Sequence, residues 1–137
     1  VMTLELTAGV VAAVAVGGAA GAVIRFVLDR CLRAGILYAN TLGCLLLGVL
    51  IGAGGAGEAI WQPWAAGLLT MGLVGALSTF ATVALRAAQL WLGGSRWKAV
   101  GLWSVHAGCG IAAAAAGLAL GWSLAGNVAG AVVVDIF

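Results

Sequence analysis

The chain has 137 residues, of which 64% are hydrophobic and 7% charged, and its formal net charge is +2. Ordinary soluble domains carry about 25% charged residues, so these figures, with a mean hydropathy of +1.21, argue against a water-soluble fold. So small a positive charge, without a basic patch interleaved with aromatics, also argues against a nucleic-acid partner. The 23 glycines and single proline suit closely packed membrane helices better than loops. One compact helical membrane domain over residues 1–137, surrounded by lipid, is expected. Cys31, Cys44 and Cys109 have no C-x-x-C spacing and no histidines at metal spacing, and read as small apolar fillers.

The first apolar run covers about residues 6–28. No basic segment precedes it and its far end carries Arg25 rather than a cleavage site, which favours a spanning helix over a signal peptide. Gly17 and Gly21 are spaced to let another helix approach closely. A short basic connection follows, with Asp29, Arg30 and Arg33. The second run, about 35–53, has Asn40, Thr41 and Gly43 near its start and Gly48 and Gly52 further on. Residues 54–58 read as a turn, and Pro63 marks the start of a third helix, about 64–91. Residues 93–98 form the next loop, and a fourth helix covers about 99–121. The apolar tail 122–137 is too short for another span.

Each run approaches or exceeds the roughly 20 residues that cross a bilayer. The expected fold is therefore an all-α membrane protein of four transmembrane helices. Trp61 and Trp64 mark one end of the third helix and Trp91 the other, while Trp97 or Trp103 and Trp122 bracket the fourth. All six basic residues (Arg25, Arg30, Arg33, Arg86, Arg96 and Lys98) lie in or beside the first and third loops. The positive-inside rule makes those loops cytoplasmic and both termini external, in a multi-pass protein of the cell membrane with one orientation.

Within the third run, the stretch from Gly72 through Gly75, Ser78, Thr79 and Phe80 to Thr82 is a poor recipe for an unbroken helix. Glycine costs about 0.8–1 kcal/mol against alanine in a helix interior, and Ser and Thr hydroxyls compete for backbone groups. A break at that depth is tolerated only where the backbone is buried in protein or lines a cavity. The intramembrane polar residues are Asn40, Thr70, Ser78, Thr79, Thr82, Ser104 and His106, each a functional candidate by position. Each also has a plainer reading. Hydroxyls bond back to the preceding turn, His106 packs between helices, Phe80 is core or lipid-facing, and Arg25 snorkels to the interface. Asn40 resists such a reading, because a buried carboxamide is costly without partners.

No acid lies mid-membrane, against proton-coupled cation transport, and no nucleophile–base pair is present, so an enzyme is not expected. Uncharged Asn, Ser and Thr donors and a weakly positive ring edge suit a small hydrated anion. If the third helix unwinds at Gly75–Ser78, its freed carbonyls suit a cation instead.

At these residues the chain resembles the Fluc fluoride channels, also called the CrcB family. Gly21-Ala22-Val23-Ile24-Arg25 matches the family's Gly-Ala-x-x-Arg in the first helix. Residues 35–44, with Asn40 and Gly43, match the second-helix pattern, and 72–83 match the third more loosely. The resemblance implies an antiparallel, inverted dimer that lets fluoride leave the cell passively. It implies a central sodium ion held by backbone carbonyls at Gly75 and Ser78. It also places Phe80, Asn40, Thr79, Thr82 and Ser104 along the fluoride path, and assigns Arg25, Gly43 and Gly72 structural roles. Val83 stands where the family has a second phenylalanine, and Arg86 where it has an acid. The one-sided basic residues favour a homologous partner inserted the other way up over a homodimer. The competing readings are a small multidrug-resistance-type transporter, which needs a first-helix acid absent here, and a non-conducting subunit of a heteromeric channel.

Overall fold

Four helices long and apolar enough to cross a membrane are present in the computed structural model, which describes the backbone of residues 7–55 and 62–134 and side chains as far as 126. Thr7 opens the first of them: its extended backbone and its Oγ1, which accepts from the Val10 N–H at 3.3 Å, cap α1 (Ala8–Cys31). The helix runs three residues past the expected Leu28. Asp29 and Arg30 are compatible with its last turn, where Arg30 complements the dipole and its guanidinium lies 6.0 Å from the Phe26 ring centroid. After a tight connection, α2 spans Gly35–Gly55. The rest of the expected 54–58 turn and the Trp61 marker lie outside the described residues.

The third span, Pro63–Leu92, is not one helix. It begins as α3 (Pro63–Ala66), widens into a π-helical segment (Gly67–Val74), returns to α4 (Gly75–Leu77), breaks, and resumes as α5 (Phe80–Leu92). A cause of the widening is visible at Thr70. Its hydroxyl donates to the Ala66 carbonyl at 2.6 Å, the acceptor its own N–H would use in an α-helix, and the Gly75 N–H reaches the Thr70 carbonyl five residues back.

The fourth span departs most from expectation. It starts at Arg96, inside the expected 93–98 loop, and α6 continues to Val134 without an end at 121. No proline follows Trp122, and the helix continues through Gly126, Asn127 and Gly130. Its 39 residues make a rod about 58 Å long at 1.5 Å per residue, longer than a hydrocarbon core of about 30 Å. Trp122 is therefore within the helix. Trp97, 87% exposed, occupies its first turn, whereas Trp103 faces α5.

Glycines set the packing. Gly17 and Gly21 of α1 lie directly against the backbone of the π segment, and a Cβ on Gly72 would meet the Val14 carbonyl oxygen at 2.8 Å. On the other side of the bundle α2 packs along α6 through two matched pairs. A Cβ on Gly48 or on Gly117 would sit 3.1 Å from the other's Cα, and Gly52 and Gly121 repeat the contact one turn on. Small residues four apart on both helices let the backbones touch, which is how packing without a hydrophobic driving force is achieved in lipid. The α5 helix then lies on α6, so the break is bounded by α2 and α6.

Candidate functional site

The third span comes apart at Ser78 and Thr79, both extended (φ −80°, ψ 146° and φ −146°, ψ 112°), while Gly75 stays helical. The last helical bond runs from the Ser78 N–H to the Val74 carbonyl at 3.1 Å. Thr79 then turns away to α2. Its N–H donates to Asn40 Oδ1 at 2.7 Å, and Asn40 Nδ2 donates to its carbonyl at 3.2 Å. One carboxamide thus gives the N–H that has left the helix a new acceptor and adds a donor to the carbonyl of the same residue, which answers the cost of an interrupted helix in lipid. Gly43, one turn beyond Asn40, lies under Ser78; a Cβ there would come within 3.1 Å of the Ser78 Cβ.

Beyond the break Thr79 caps α5. Its Oγ1 accepts from the Thr82 N–H at 3.5 Å, and the two hydroxyls are 3.3 Å apart. The interruption places two unlike helix ends side by side. Upstream, the Gly75 carbonyl has lost its α-helical donor, because the Thr79 N–H is engaged by Asn40. Downstream, the positive end of the α5 dipole begins at Phe80.

A cavity of about 320 Å³ adjoins these ends, lined by Asn40, Cys44, Ser78, Thr79, Phe80, Val83, Trp103, His106 and Ala107. Phe80 meets Trp103 edge-to-face, with centroids 5.0 Å apart and planes at 69°, yet remains 69% exposed. Val83 is buried.

Of the sequence candidates, Asn40, Ser78, Thr79 and Phe80 come together here. Thr82 is engaged with Thr79, and Gly72 packs on α1. Arg25 is partly exposed on α1. Ser104 is not in this cavity; it lines a separate groove between α5 and α6 with Ala84, Ala87, Trp91 and Val100. Cys44, Trp103 and His106 complete the cavity, and their spacing signalled it: Cys44 lies one turn from Asn40, and Trp103 and His106 one turn from each other.

A profile of the family described as CrcB-like protein, Camphor Resistance (CrcB), matches residues 12–118. The chain belongs to the CrcB family. Among curated relatives, Fluoride-specific ion channel FluC 2 of Halobacterium salinarum is 35% identical over 106 residues, covering 76% of this chain and 80% of its own. Fluoride-specific ion channel FluC of Pseudomonas putida is 35% identical over 123 residues (80% and 94%), and that of Novosphingobium aromaticivorans 34% over 129 (85% and 95%). With four apolar helices, this CrcB-family chain is a multi-pass membrane protein and not an enzyme. The match takes in the break and cavity and leaves the end of α6 outside. Arg86, at the position read as acidic in the CrcB family, donates to Asp29 at 3.2 and 3.5 Å and joins α5 to the end of α1 at an exposed site.

Proposed function

We propose that this chain forms a passive, fluoride-selective channel through which fluoride leaves the cytoplasm, reducing its toxicity, and that it works as one half of an antiparallel pair in the cell membrane. The name shared by the relatives, fluoride-specific ion channel, supports the ion. The observation in the fold that carries the reading is the Asn40-held break beside Phe80. A discontinuous span brings a helix N-terminus, neutral hydroxyls and a ring edge to one place. These groups replace water around a small anion without a permanent charge to trap it. The one acid in the described spans, Asp29, lies in the last turn of α1 and is paired with Arg86, which weakens the multidrug-transporter reading.

The same break suits a structural sodium ion. The Gly75 carbonyl lacks its helical donor and the Ser78 carbonyl sits on extended backbone, so both oxygens fit as neutral ligands. Gly75 is exposed, with only the Thr70 carbonyl oxygen near the position of a Cβ, at 3.6 Å, a face open to a second chain. When bound there, sodium supplies a positive charge against the carbonyl dipoles of two breaks. The basic residues gathered at the first and third loops support cytoplasmic loops, external termini and a partner of opposite orientation.

Fluoride efflux from liposomes tests the proposal. The expected result is little efflux from this chain alone and fast efflux when it is reconstituted with an inverted homologue. Robust efflux from the single chain refutes the obligate hetero-pair. Phe80→Ile removes the ring edge proposed to line the path, so flux should fall. Unchanged flux would assign the chain a non-conducting role.

A further inference from the structure

We infer that the groove between α5 and α6 binds one anionic phospholipid, with an acyl chain lying in the groove and the phosphate held by Arg96 and Lys98. The inference stands apart from the channel reading, and its test needs no fluoride flux.

The groove follows from residue size. Ala84, Ala87 and Trp91 recur at helical spacing on one face of α5, and Ala99, Val100 and Trp103 do so on α6. Ala87 and Ala99 are buried, whereas Trp91, Val100 and Trp103 are exposed. The small residues therefore make the floor and the large ones the rim of a groove of about 410 Å³. From Ala84 to Trp91 it runs about 10 Å at 1.5 Å per residue, within a hydrocarbon layer of about 30 Å. Both helices belong to membrane spans, so lipid is the medium that reaches it.

Charge at one end distinguishes this groove from an ordinary lipid-facing surface. The turn between α5 and α6 lies at that end, and the Arg96 guanidinium sits 5.3 Å from the centroid of the Trp91 ring. This cation–π contact keeps the charge beside the groove wall. Lys98, also exposed, directly precedes Ala99. Residues 59–134 contain no Asp or Glu, so neither cation has an acidic partner on α5 or α6. On the same turn Leu92 and Trp97 are 86% and 87% exposed. Large apolar side chains displayed beside cations suit the interfacial layer, where tryptophans sit at headgroup level and basic residues meet anionic lipid. An anionic phospholipid supplies both parts at once, a negative headgroup and a hydrocarbon chain. A zwitterionic lipid brings the same chain without the net charge.

Native mass spectrometry tests the inference on the full chain, extracted in mild detergent from bilayers holding equal amounts of phosphatidylglycerol and phosphatidylcholine with the same acyl chains. The expected result is one retained phosphatidylglycerol per chain. Each basic residue near the membrane surface favours anionic lipid about fivefold. The retained ratio of anionic to neutral lipid should therefore fall by that factor in Arg96→Gln and again when Lys98→Gln is added. Arg33→Gln removes an equal charge from the connection after α1 and should leave the ratio unchanged. Val100→Trp fills the groove from its exposed rim and should release the lipid while both cations remain; if that variant does not fold, the Arg96 series decides alone. Equal retention of the two lipids by the parent overturns the inference, as does a ratio that survives loss of both cations or falls equally in Arg33→Gln. Retention by a folded Val100→Trp also overturns it. So does a lipid-free pair of chains that Val100→Trp separates, which would give the groove to a second copy.

Discussion

Asn40→Ala removes both sides of the clamp on Thr79, the 2.7 Å bond from its N–H and the 3.2 Å bond to its carbonyl. The Thr79 N–H has no helical alternative, since Ser78 and Thr79 are extended, whereas the Thr79 carbonyl, at the N-cap of α5, faces the first turn of that helix. An unsatisfied buried polar group costs about 1–3 kcal/mol. Water drawn into the vacated polar space brings the expected loss toward the lower half, about 1.5 kcal/mol. That corresponds to a factor of roughly ten in a local opening equilibrium. Denaturation in mild detergent measures the first quantity, and hydrogen exchange at the Thr79 amide the second. Asn40→Asp sharpens the test: its carboxylate keeps the acceptor for the Thr79 N–H but sets an oxygen against the Thr79 carbonyl, so its loss of stability should be intermediate while its charge suppresses anion flux. Stability of Asn40→Ala within about 0.5 kcal/mol of the parent, with Thr79 exchange unchanged, would mean that the break holds itself and that the clamp argument is wrong.

The α2–α6 contact predicts a sharp positional contrast. Gly117→Leu drives a side chain into the Gly48 backbone and should cost at least the roughly 1–3 kcal/mol of core overpacking, whereas Gly101→Ala, with nothing within 4 Å of its Cβ, should be neutral or stabilising by up to about 1 kcal/mol; thermal unfolding in detergent compares them. Orientation is read at Cys31, which is exposed at the end of α1 while Cys44 and Cys109 are partly covered. A membrane-impermeant maleimide should label Cys31 only after the cytoplasmic face is opened, and labelling of intact cells would reverse the assigned topology.

The spans were legible because runs of about 20 apolar residues admit few alternatives; their ends were less so. Hydropathy cannot signal where α6 stops when the residues on both sides of Trp122 are apolar, and the helix continues to Val134 through Gly126, Asn127 and Gly130, where propensity alone favours an end. The broken region was legible too, but reasoning from glycine cost pointed to Gly75–Ser78, whereas the chain unwinds at Ser78–Thr79. The deciding partner, Asn40, lies 39 residues away from Thr79, and no local pattern carries that distance. The π segment was invisible for a related reason: it depends on the Thr70 hydroxyl taking a carbonyl and on the close approach of α1 at Gly17 and Gly21. Trp103, read as a possible belt residue, proved to be a ring against Phe80.

In the proposed channel a single interruption does two electrostatic jobs, because a helix has unlike ends. Had the span unwound at Gly75, flexible backbone would have bridged the gap without a fixed direction. Unwinding at two hydroxyl residues instead ties the upstream carbonyls and the downstream cap to one side chain of α2, so the two ends keep their relative position. The site is also incomplete as a closed path. Phe80 is 69% exposed and Met71, on the same broken span, 60%, and Gly75 opens onto free space. In the proposed antiparallel pair a second chain covers this face, and each break then meets a copy or homologue of itself with its carbonyls converging. The cavity beside Phe80 lies between the break, α2 and α6, with Val83 in its wall. In that proposal the converging carbonyls serve the cation and the cavity serves the anion, and the carboxamide of Asn40, which holds Thr79, fixes the break that both use.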